Sequence, residues 1–147
     1  MFNSPGVEPR VCAVAERRQN AQSSRRHHGR GDSWSLGARA GDFVFVAGLQ
    51  GIDFAANILV PDPQARVLQA FLNLQLIAQS EGASLQDCVR ITVYVSDLHR
   101  YAPMVDKAQS QLWGKPPYPP RTMVEVQRPF DDDIMEIDSV FYAPVKK

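Results

Sequence analysis

The stretch RTMVEVQRPFDDDIMEI, residues 121–137, decides the fold expected for this chain. Residues that favour β-structure lie on both sides of an acidic, proline-containing segment, a pattern that predicts a strand, a tight turn and a returning strand. We assign the two strands of this hairpin to residues 122–128 and 133–143. Arg121 opens the hairpin and Glu136 lies in the returning strand, so both side chains are expected to face one solvent-filled crevice.

Arg121 and Glu136 are the candidate catalytic residues. An arginine can hold a substrate carboxylate through two parallel hydrogen bonds. A glutamate held nearby can take a proton from a bound water and return it. The two roles together indicate hydrolytic chemistry on a small organic acid, although a plain ion pair between the two side chains explains the residues alone equally well.

The bulk properties bound the class of protein. A chain of 147 residues corresponds to a single domain that can bury a substantial core. Its apolar runs, such as FVFVAG and ITVYV, are too short to cross a bilayer, and its first residues lack the apolar segment of a secretory signal. Cys12 and Cys88 have no metal-ligand spacing. We therefore expect a cytoplasmic protein with reduced thiols and no metal site.

Charge divides the chain into two parts. Residues 1–32 carry six arginines against three acidic residues, a net charge of +3, whereas the remainder carries a net −3. We predict an arginine-rich N-terminal extension over residues 1–32, with a candidate first strand at 11–15, and a folded domain over residues 33–147. No aromatic residues alternate with the arginines as stacking platforms, which disfavours a nucleic-acid partner. An anionic small molecule stays open as a partner of this segment.

Two helices are predicted from their termini. Asp62 and Pro63 are residue types preferred at the N-cap and the first helical position, and Gly82 is a natural stop for the helix that follows. Asp97 caps a second helix that ends at Gly114.

Strands are predicted at residues 34–40, 43–47 and 87–95. The element order is then β, β, β, α, β, α, β, β. This order predicts an α+β fold, a two-layer sandwich in which a mixed sheet carries both helices on one face. The opposite face would expose Phe43 and Phe45, and an uncovered apolar sheet face indicates an oligomer.

Four pieces of the chain, taken in order, resemble the RidA family of reactive intermediate deaminases, also called YjgF-like proteins. They are WSLGARAGDFVFVAGLQGID, the helix after Pro63, DCVRITVYVSDL and PPRTMVEVQRPFDDDIMEID. In this resemblance the substrate-binding arginine of the family falls on Arg121 and its acidic residue on Glu136. The resemblance implies a chorismate-mutase-like α+β fold assembled as a homotrimer, with active sites in clefts between subunits.

The resemblance also implies the chemistry. Members hydrolyse enamine or imine acids to keto acids and ammonia without a metal or cofactor. Arg121 would hold the substrate carboxylate and Glu136 would activate a water, with the backbone at Met123 as a second anchor for that water. Gly48 would leave room for the substrate, and Tyr118 would lie at the rim of the cleft.

Three positions depart from the motifs of the family. Trp34 replaces a site tyrosine, Ala47 replaces a serine and Met123 replaces a frequent cysteine. Trp34 could stack on a planar conjugated substrate, and core packing explains it as well. The substrate is expected to be either a short 2-imino acid such as iminopropanoate or a dicarboxylate of the 2-aminomuconate type from aromatic degradation. The candidate cations for a second carboxylate are Arg25, Arg26 and Arg30.

Other functions and other sites agree less well with these residues than the hydrolysis of an imine acid does. A non-catalytic small-carboxylate-binding regulatory protein needs only the arginine, so the presence of Glu136 disfavours it. RNA binding or cleavage, which the resemblance also allows, requires a basic surface that residues 33–147 lack. The acidic run at 131–133 is interpreted as a solvated turn rather than a metal site. His99 is expected to face solvent, and no role is assigned to His27 and His28.

Overall fold

The computed structural model describes residues 10–11 and 35–145. Its strands are β1 (Arg10–Val11), β2 (Gly37–Ala40), β3 (Phe43–Leu49), β4 (Ile52–Asp53), β5 (Ile58–Leu59), β6 (Cys88–Val95), β7 (Arg121–Glu125) and β8 (Met135–Tyr142). Six of these strands form one sheet in the order β1-β2-β3-β8-β6-β7, and β4 pairs with β5 in a small separate hairpin. Neighbours in the large sheet are antiparallel except for β6 and β7, which are parallel.

The two helices of the described residues begin and end where their capping residues predict. Asp62 caps α1 (Pro63–Ser80) by accepting a backbone hydrogen bond of 2.8 Å. Asp97 caps α2 (Leu98–Trp113) in the same way at 2.9 Å, and Gly114 ends α2 with a positive φ. Within the part of the chain that the structure describes, neither helix combines the length and the apolar character of a membrane span.

Both helices pack on one face of the large sheet. Alternate residues of its central strands, including Val44, Ile91 and Ile137, are buried and form one core with the apolar stripes of both helices. The opposite face carries Phe43 and Phe45, which are 42% and 48% exposed. The predicted α+β architecture, with a mixed sheet and both helices on one face, is therefore confirmed. The trimer stays a prediction.

The strands of the large sheet match the predicted ones with local differences, whereas the small hairpin of β4 and β5 was not predicted. β3 continues through Gly48 to Leu49, two residues beyond the predicted strand at residues 43–47. β6 begins after a short 3-10 turn at Leu85–Asp87. β1 overlaps only the start of the predicted strand at 11–15, whose other residues lie outside the described part of the chain.

The C-terminal strands do not form the predicted hairpin. β7 and β8 each pair with β6, which lies between them. Their connection passes around the end of β6, where Val126 N–H donates to the Val95 carbonyl and Ser96 N–H donates to the Ile134 carbonyl. The physical reason is that β6, α2 and β7 form a crossover unit, in which parallel pairing packs α2 onto the sheet and places β7 at the edge.

An ion pair holds the turn before β8 against α1. Arg66 donates to the Asp133 carboxylate at 2.9 Å. The side-chain amide of Gln50 donates to the Phe130 carbonyl at 2.9 Å. Gly51 packs against the same helix so closely that a Cβ atom there would stand 2.1 Å from the Arg66 carbonyl oxygen. These contacts fix the loop after β3 and the turn before β8 to one helix.

Candidate functional site

Arg121 lies at the rim of an open cavity on the helix side of the sheet. It is the first residue of β7, the strand at one edge of the described sheet. The cavity has a volume of about 350 Å³, which is within the range of small-molecule sites. Its lining residues are Asp106, Gln109, Ser110, Tyr118, Pro119 and Arg121.

Two side chains of α2 hold the guanidinium of Arg121. Nη1 donates to Gln109 Oε1 and Nη2 donates to Asp106 Oδ1, both at 2.6 Å. Gln109 is buried, whereas the Asp106 side chain is 62% exposed. The Arg121 side chain is itself 25% exposed, so a solute in the cavity can reach the guanidinium. This group carries five N–H donors and can therefore bind a carboxylate in addition to a protein partner.

Glu136 lies on the other face of the sheet, which neither of the two helices of the described residues covers. It stands opposite Tyr94 in the pairing of β8 with β6 and alternates with the buried residues Met135 and Ile137. Asp138, two residues further along β8, is on the same face and makes a hydrogen bond with Tyr94. Tyr94 and Asp138 line a second, shallow cavity of about 350 Å³ on this open face. The arrangement places two carboxylates and a phenol side by side.

Gly48 interrupts the pairing of β3 with β8 beside these carboxylates. Its φ is +67°, a conformation that residues with a side chain rarely adopt. The register of the two strands shifts between Val46 and Leu49, and the Gly48 N–H donates to the Asp138 carboxylate at 3.1 Å. Glycine at position 48 therefore serves a bulge that brings a backbone N–H to the acidic cluster. Its predicted role of leaving room for a substrate stays a prediction.

Arg121 and Glu136 of one chain do not face the same crevice. Arg121 stands opposite buried Ile91 and contacts α2, so it projects toward the helices, whereas Glu136 projects from the open face. The prediction that the C-terminal strands bring these two side chains together is therefore wrong within a single chain. The reason is that β6 separates their strands and the register sends the side chains to opposite faces. The same geometry excludes an ion pair between them within one chain.

The other predicted site residues divide between these places. Tyr118 lines the Arg121 cavity and is 43% exposed, as expected for a residue at its rim. Met123 is half-buried on the helix side, packed against the core. Ala47 lies on the open face beside Gly48. The residues outside the described part of the chain are Arg25, Arg26, His27, His28, Arg30 and Trp34.

Two titratable side chains near the acidic cluster, Tyr94 and Cys88, have raised pKa values. Burial raises the pKa of Tyr94, and Asp138 raises it further through its charge and its hydrogen bond, while Arg90 opposes the shift. The phenol of Tyr94 therefore remains protonated at neutral pH and available as a hydrogen-bond donor. Burial also raises the pKa of the Cys88 thiol, which makes Cys88 a poor nucleophile.

The acidic run at 131–133 is only in part the solvated turn that the sequence predicts. Asp131 and Asp132 are exposed, and the backbone of each lies in the left-handed region with a φ of 57°. Asp133 is buried and paired with Arg66, so for this residue the prediction was wrong. Among the described residues no group of three or more acidic, histidine or cysteine side chains could hold a metal ion. His99 is exposed, as expected.

The sequence pattern did not single out Asp106 and Gln109 as site residues. They lie three residues apart on α2 and therefore share one face of the helix. The available signal was that Gln109, a polar residue, follows directly after the buried Ala108 of the apolar stripe. Tyr94 and Asp138 were identifiable as members of the exposed sets of two alternating strands, but alternation alone does not show that they meet.

Comparison with known proteins supplies the context for these residues. The family model described as Endoribonuclease L-PSP matches residues 30–142. A RutC family protein of Pyrococcus abyssi is 34% identical over 110 residues, which cover 74% of this chain and 85% of the relative. A 2-iminobutanoate/2-iminopropanoate deaminase of Dermatophagoides farinae is 23% identical over 108 residues, which cover 73% and 83%.

Solved structures agree with the fold. A probable translation initiation inhibitor from Rhodopseudomonas palustris is 38% identical and superimposes with a TM-score of 0.80, covering 94% of this chain and all of that structure. RidA from the Antarctic bacterium Psychrobacter is 27% identical, with a TM-score of 0.71, and covers 78% of this chain and 91% of that structure.

Proposed function

Because the chain belongs to the Endoribonuclease L-PSP family, the YjgF/RidA proteins, we propose that it is a deaminase of enamine or imine carboxylic acids. The proposed reaction hydrolyses a 2-imino acid to the corresponding 2-keto acid and ammonia. The observation that carries the proposal is Arg121, whose side chain is 25% exposed and lines an open cavity of a volume that suits a small molecule. A relative bears the name of this activity, 2-iminobutanoate/2-iminopropanoate deaminase.

Arg121 would bind the substrate carboxylate. Its guanidinium is anchored by buried Gln109, so its position is fixed before the substrate arrives. A bidentate arginine–carboxylate pair would then set the distance and orientation of the imine carbon next to the carboxylate. Tyr118 and Pro119 would form the wall along which the rest of the substrate lies.

Glu136 would take part from a second copy of the chain. Since Arg121 and Glu136 project from opposite faces, a site that uses both must form where the Arg121 edge of one copy meets the open face of another. The exposed Phe43 and Phe45 give that open face an apolar surface suited to such an interface. The homotrimer expected from the sequence would repeat this contact around a three-fold axis.

The reaction needs one water and one proton carrier. Glu136 would take a proton from the water as its oxygen bonds to the imine carbon, and would return that proton to the nitrogen, which gives a carbinolamine. Transfer of the hydroxyl proton of the carbinolamine to the nitrogen, again through Glu136, would form the C=O bond as the C–N bond breaks, releasing ammonia and leaving the keto acid. Because an imine carbon is already electrophilic, the proposed steps require no metal or cofactor.

The charges of the described residues favour a short monocarboxylate as substrate. The Arg121 cavity contains one cation and one carboxylate, and the open face adds Glu136 and Asp138 against Arg90. A second carboxylate, as in a substrate of the 2-aminomuconate type, would meet more negative than positive groups there. We therefore propose a short 2-imino acid, of the size of iminopropanoate or iminobutanoate.

Imine hydrolysis can be measured directly. An amino-acid oxidase would generate 2-iminopropanoate or 2-iminobutanoate in the assay, and semicarbazide would trap the imine that remains. The protein is expected to lower the yield of semicarbazone and to raise the initial rates of ammonia and keto acid formation. Unchanged rates across a range of protein concentrations would refute the proposed activity.

A second candidate function is a non-catalytic binder of small carboxylates. It is favoured by the observation that one chain supplies the arginine cavity without Glu136. The two functions separate in the same assay. A pure binder would show saturable binding of a short carboxylate at Arg121 and no acceleration of ammonia release.

A further inference from the structure

The Arg121 guanidinium is already bound by a carboxylate of its own chain. Asp106 Oδ1 accepts from Nη2 at 2.6 Å, the short distance typical of a charge-assisted hydrogen bond. We propose that Asp106 competes with the ligand carboxylate for Arg121, and so weakens binding and selects ligands that carry a single negative charge. The inference rests on the proposed function, since it takes Arg121 as the carboxylate-binding residue.

The two α2 partners of Arg121 differ in their surroundings. Gln109 is neutral and 5% exposed, so it anchors the guanidinium from the protein interior. The Asp106 side chain is 62% exposed and reaches Arg121 from the solvent side. An exposed pair of this kind contributes little stability and can exchange its partner at small cost. Asp106 is therefore the partner that an arriving carboxylate would displace.

The attachment of β7 to α2 does not depend on Asp106. At the other end of β7, the Glu125 carboxylate accepts from Leu98 N–H at 2.7 Å. Gln109 holds the first residue of the strand, Arg121. Both ends of β7 are therefore attached to α2 by contacts other than the ion pair of Asp106 with Arg121.

Competition has a defined effect on affinity. When a site is open for only part of the time, the apparent dissociation constant is the intrinsic one divided by the open fraction. Asp106 in contact with Arg121 lowers that fraction. After displacement, Asp106 remains on the same helix and repels each negative charge of the ligand, so a dicarboxylate is penalised more than a monocarboxylate.

The test replaces Asp106 by asparagine, which keeps the size of the side chain and removes its charge. Binding of butanoate and of succinate, which are stable and do not react, would be measured by titration calorimetry on the assembled protein at fixed ionic strength. We expect the dissociation constant of butanoate to fall about two- to fivefold in Asp106→Asn. That of succinate should fall by a larger factor.

Two further variants make the outcome specific. Asp42→Asn removes the same charge from the turn before β3, three strands away from β7 in the sheet, and should leave both constants unchanged. Gln109→Leu removes the buried anchor and should weaken binding, which is the opposite sign to Asp106→Asn. Unchanged or weaker butanoate binding in Asp106→Asn, with binding still abolished by Arg121→Ala, would overturn the competition while leaving the proposed function intact. Butanoate binding that is insensitive to Arg121→Ala would overturn both.

Discussion

Arg121 and Glu136 project from opposite faces of one sheet, and the full width of β6 lies between their strands. A small ligand that touches the guanidinium of a chain therefore cannot touch the Glu136 carboxylate of that same chain. Any reaction that uses both groups has to use two chains. This relationship gives the proposed function a test that does not depend on knowing the physiological substrate.

Mixing two inactive variants should restore activity. Arg121→Ala and Glu136→Gln are each expected to be inactive alone, but an oligomer that contains both can pair an intact arginine with an intact glutamate. Random mixing in equal amounts would restore about a quarter of the sites, since each site draws one residue from each of two copies. The measurement is imine hydrolysis after joint unfolding and refolding of the two variants. No recovery would place both residues of a site in one chain, against the geometry described above.

Arg121 should be sensitive to the shape of its side chain as well as to its charge. Arg121→Ala is expected to lower kcat/KM by an amount equivalent to about 2–5 kcal/mol, because the ligand carboxylate loses its partner. Arg121→Lys keeps the charge but loses the planar fork, so it should recover only part of the activity. Arg100→Ala, at an exposed arginine of α2, is the matched control and should behave as the wild type.

Glu136 should act on the chemical step. Glu136→Gln keeps the size and polarity of the side chain but cannot accept a proton, so kcat should fall by about 10²- to 10⁴-fold with little change in KM. Steady-state kinetics with an imine generated in the assay would check this prediction. Turnover at the wild-type rate would remove Glu136 from the mechanism.

The open face of the sheet should carry the subunit contacts. Phe45→Arg places a charge on an apolar surface that needs a partner, so the variant is expected to dissociate and lose activity. Phe130→Arg is a matched control, since Phe130 is 47% exposed against 48% for Phe45 but lies in the turn before β8. Sedimentation velocity would compare the masses of the two variants. An unchanged mass for Phe45→Arg would show that another surface joins the copies.

The ion pair of Arg66 with Asp133 should support the fold. Arg66→Met leaves the buried Asp133 carboxylate without its cation and should lower the free energy of unfolding by about 3–5 kcal/mol. Arg128→Met breaks the exposed pair of Arg128 with Asp132 and should cost less than about 1 kcal/mol. Urea unfolding would measure both. Equal losses would argue against burial as the source of the effect.

The burial of Asp133 predicts a pH dependence of stability. Burial raises the pKa of Asp133, against the opposing effects of the Ile134 N–H and of Arg66. A raised pKa in the folded state means that the folded chain holds this proton more tightly than the unfolded chain. The contribution of Asp133 to stability is therefore complete below its ordinary pKa and is lost as the pH rises through the folded value. Asp133→Asn should abolish that part of the slope, as measured by urea unfolding across the acidic range.

The helices and the sheet layers were accessible from sequence because local chemistry determines them. Asp62 and Asp97 cap their helices through contacts within one turn, and alternation in β6 predicts its buried face. The pairing of β7 and β8 was not accessible in the same way. An acidic turn between two strands resembles a hairpin whether or not the strands meet, and only packing of α2 on the sheet decides that β7 pairs with β6.

The candidate site was predictable residue by residue but not as an arrangement. The resemblance to the family placed roles on Arg121 and Glu136, and Tyr118 does line the Arg121 cavity. The separation of the two candidate catalytic residues depends on strand order and register, which are long-range properties. The contact of Asp106 with Arg121 depends in addition on the rotation of α2 about its axis, which is set by packing rather than by the residues nearby.

Gly51 shows how little tolerance the scaffold has near the proposed site. A Cβ atom at position 51 would stand only 2.1 Å from the carbonyl oxygen of Arg66 in α1. Even alanine at this position would therefore move α1 away from the loop that follows Gly48. The close contact between α1 and this loop therefore depends on the absence of a side chain at position 51. Any residue other than glycine at position 51 would therefore require α1 and this loop to move apart.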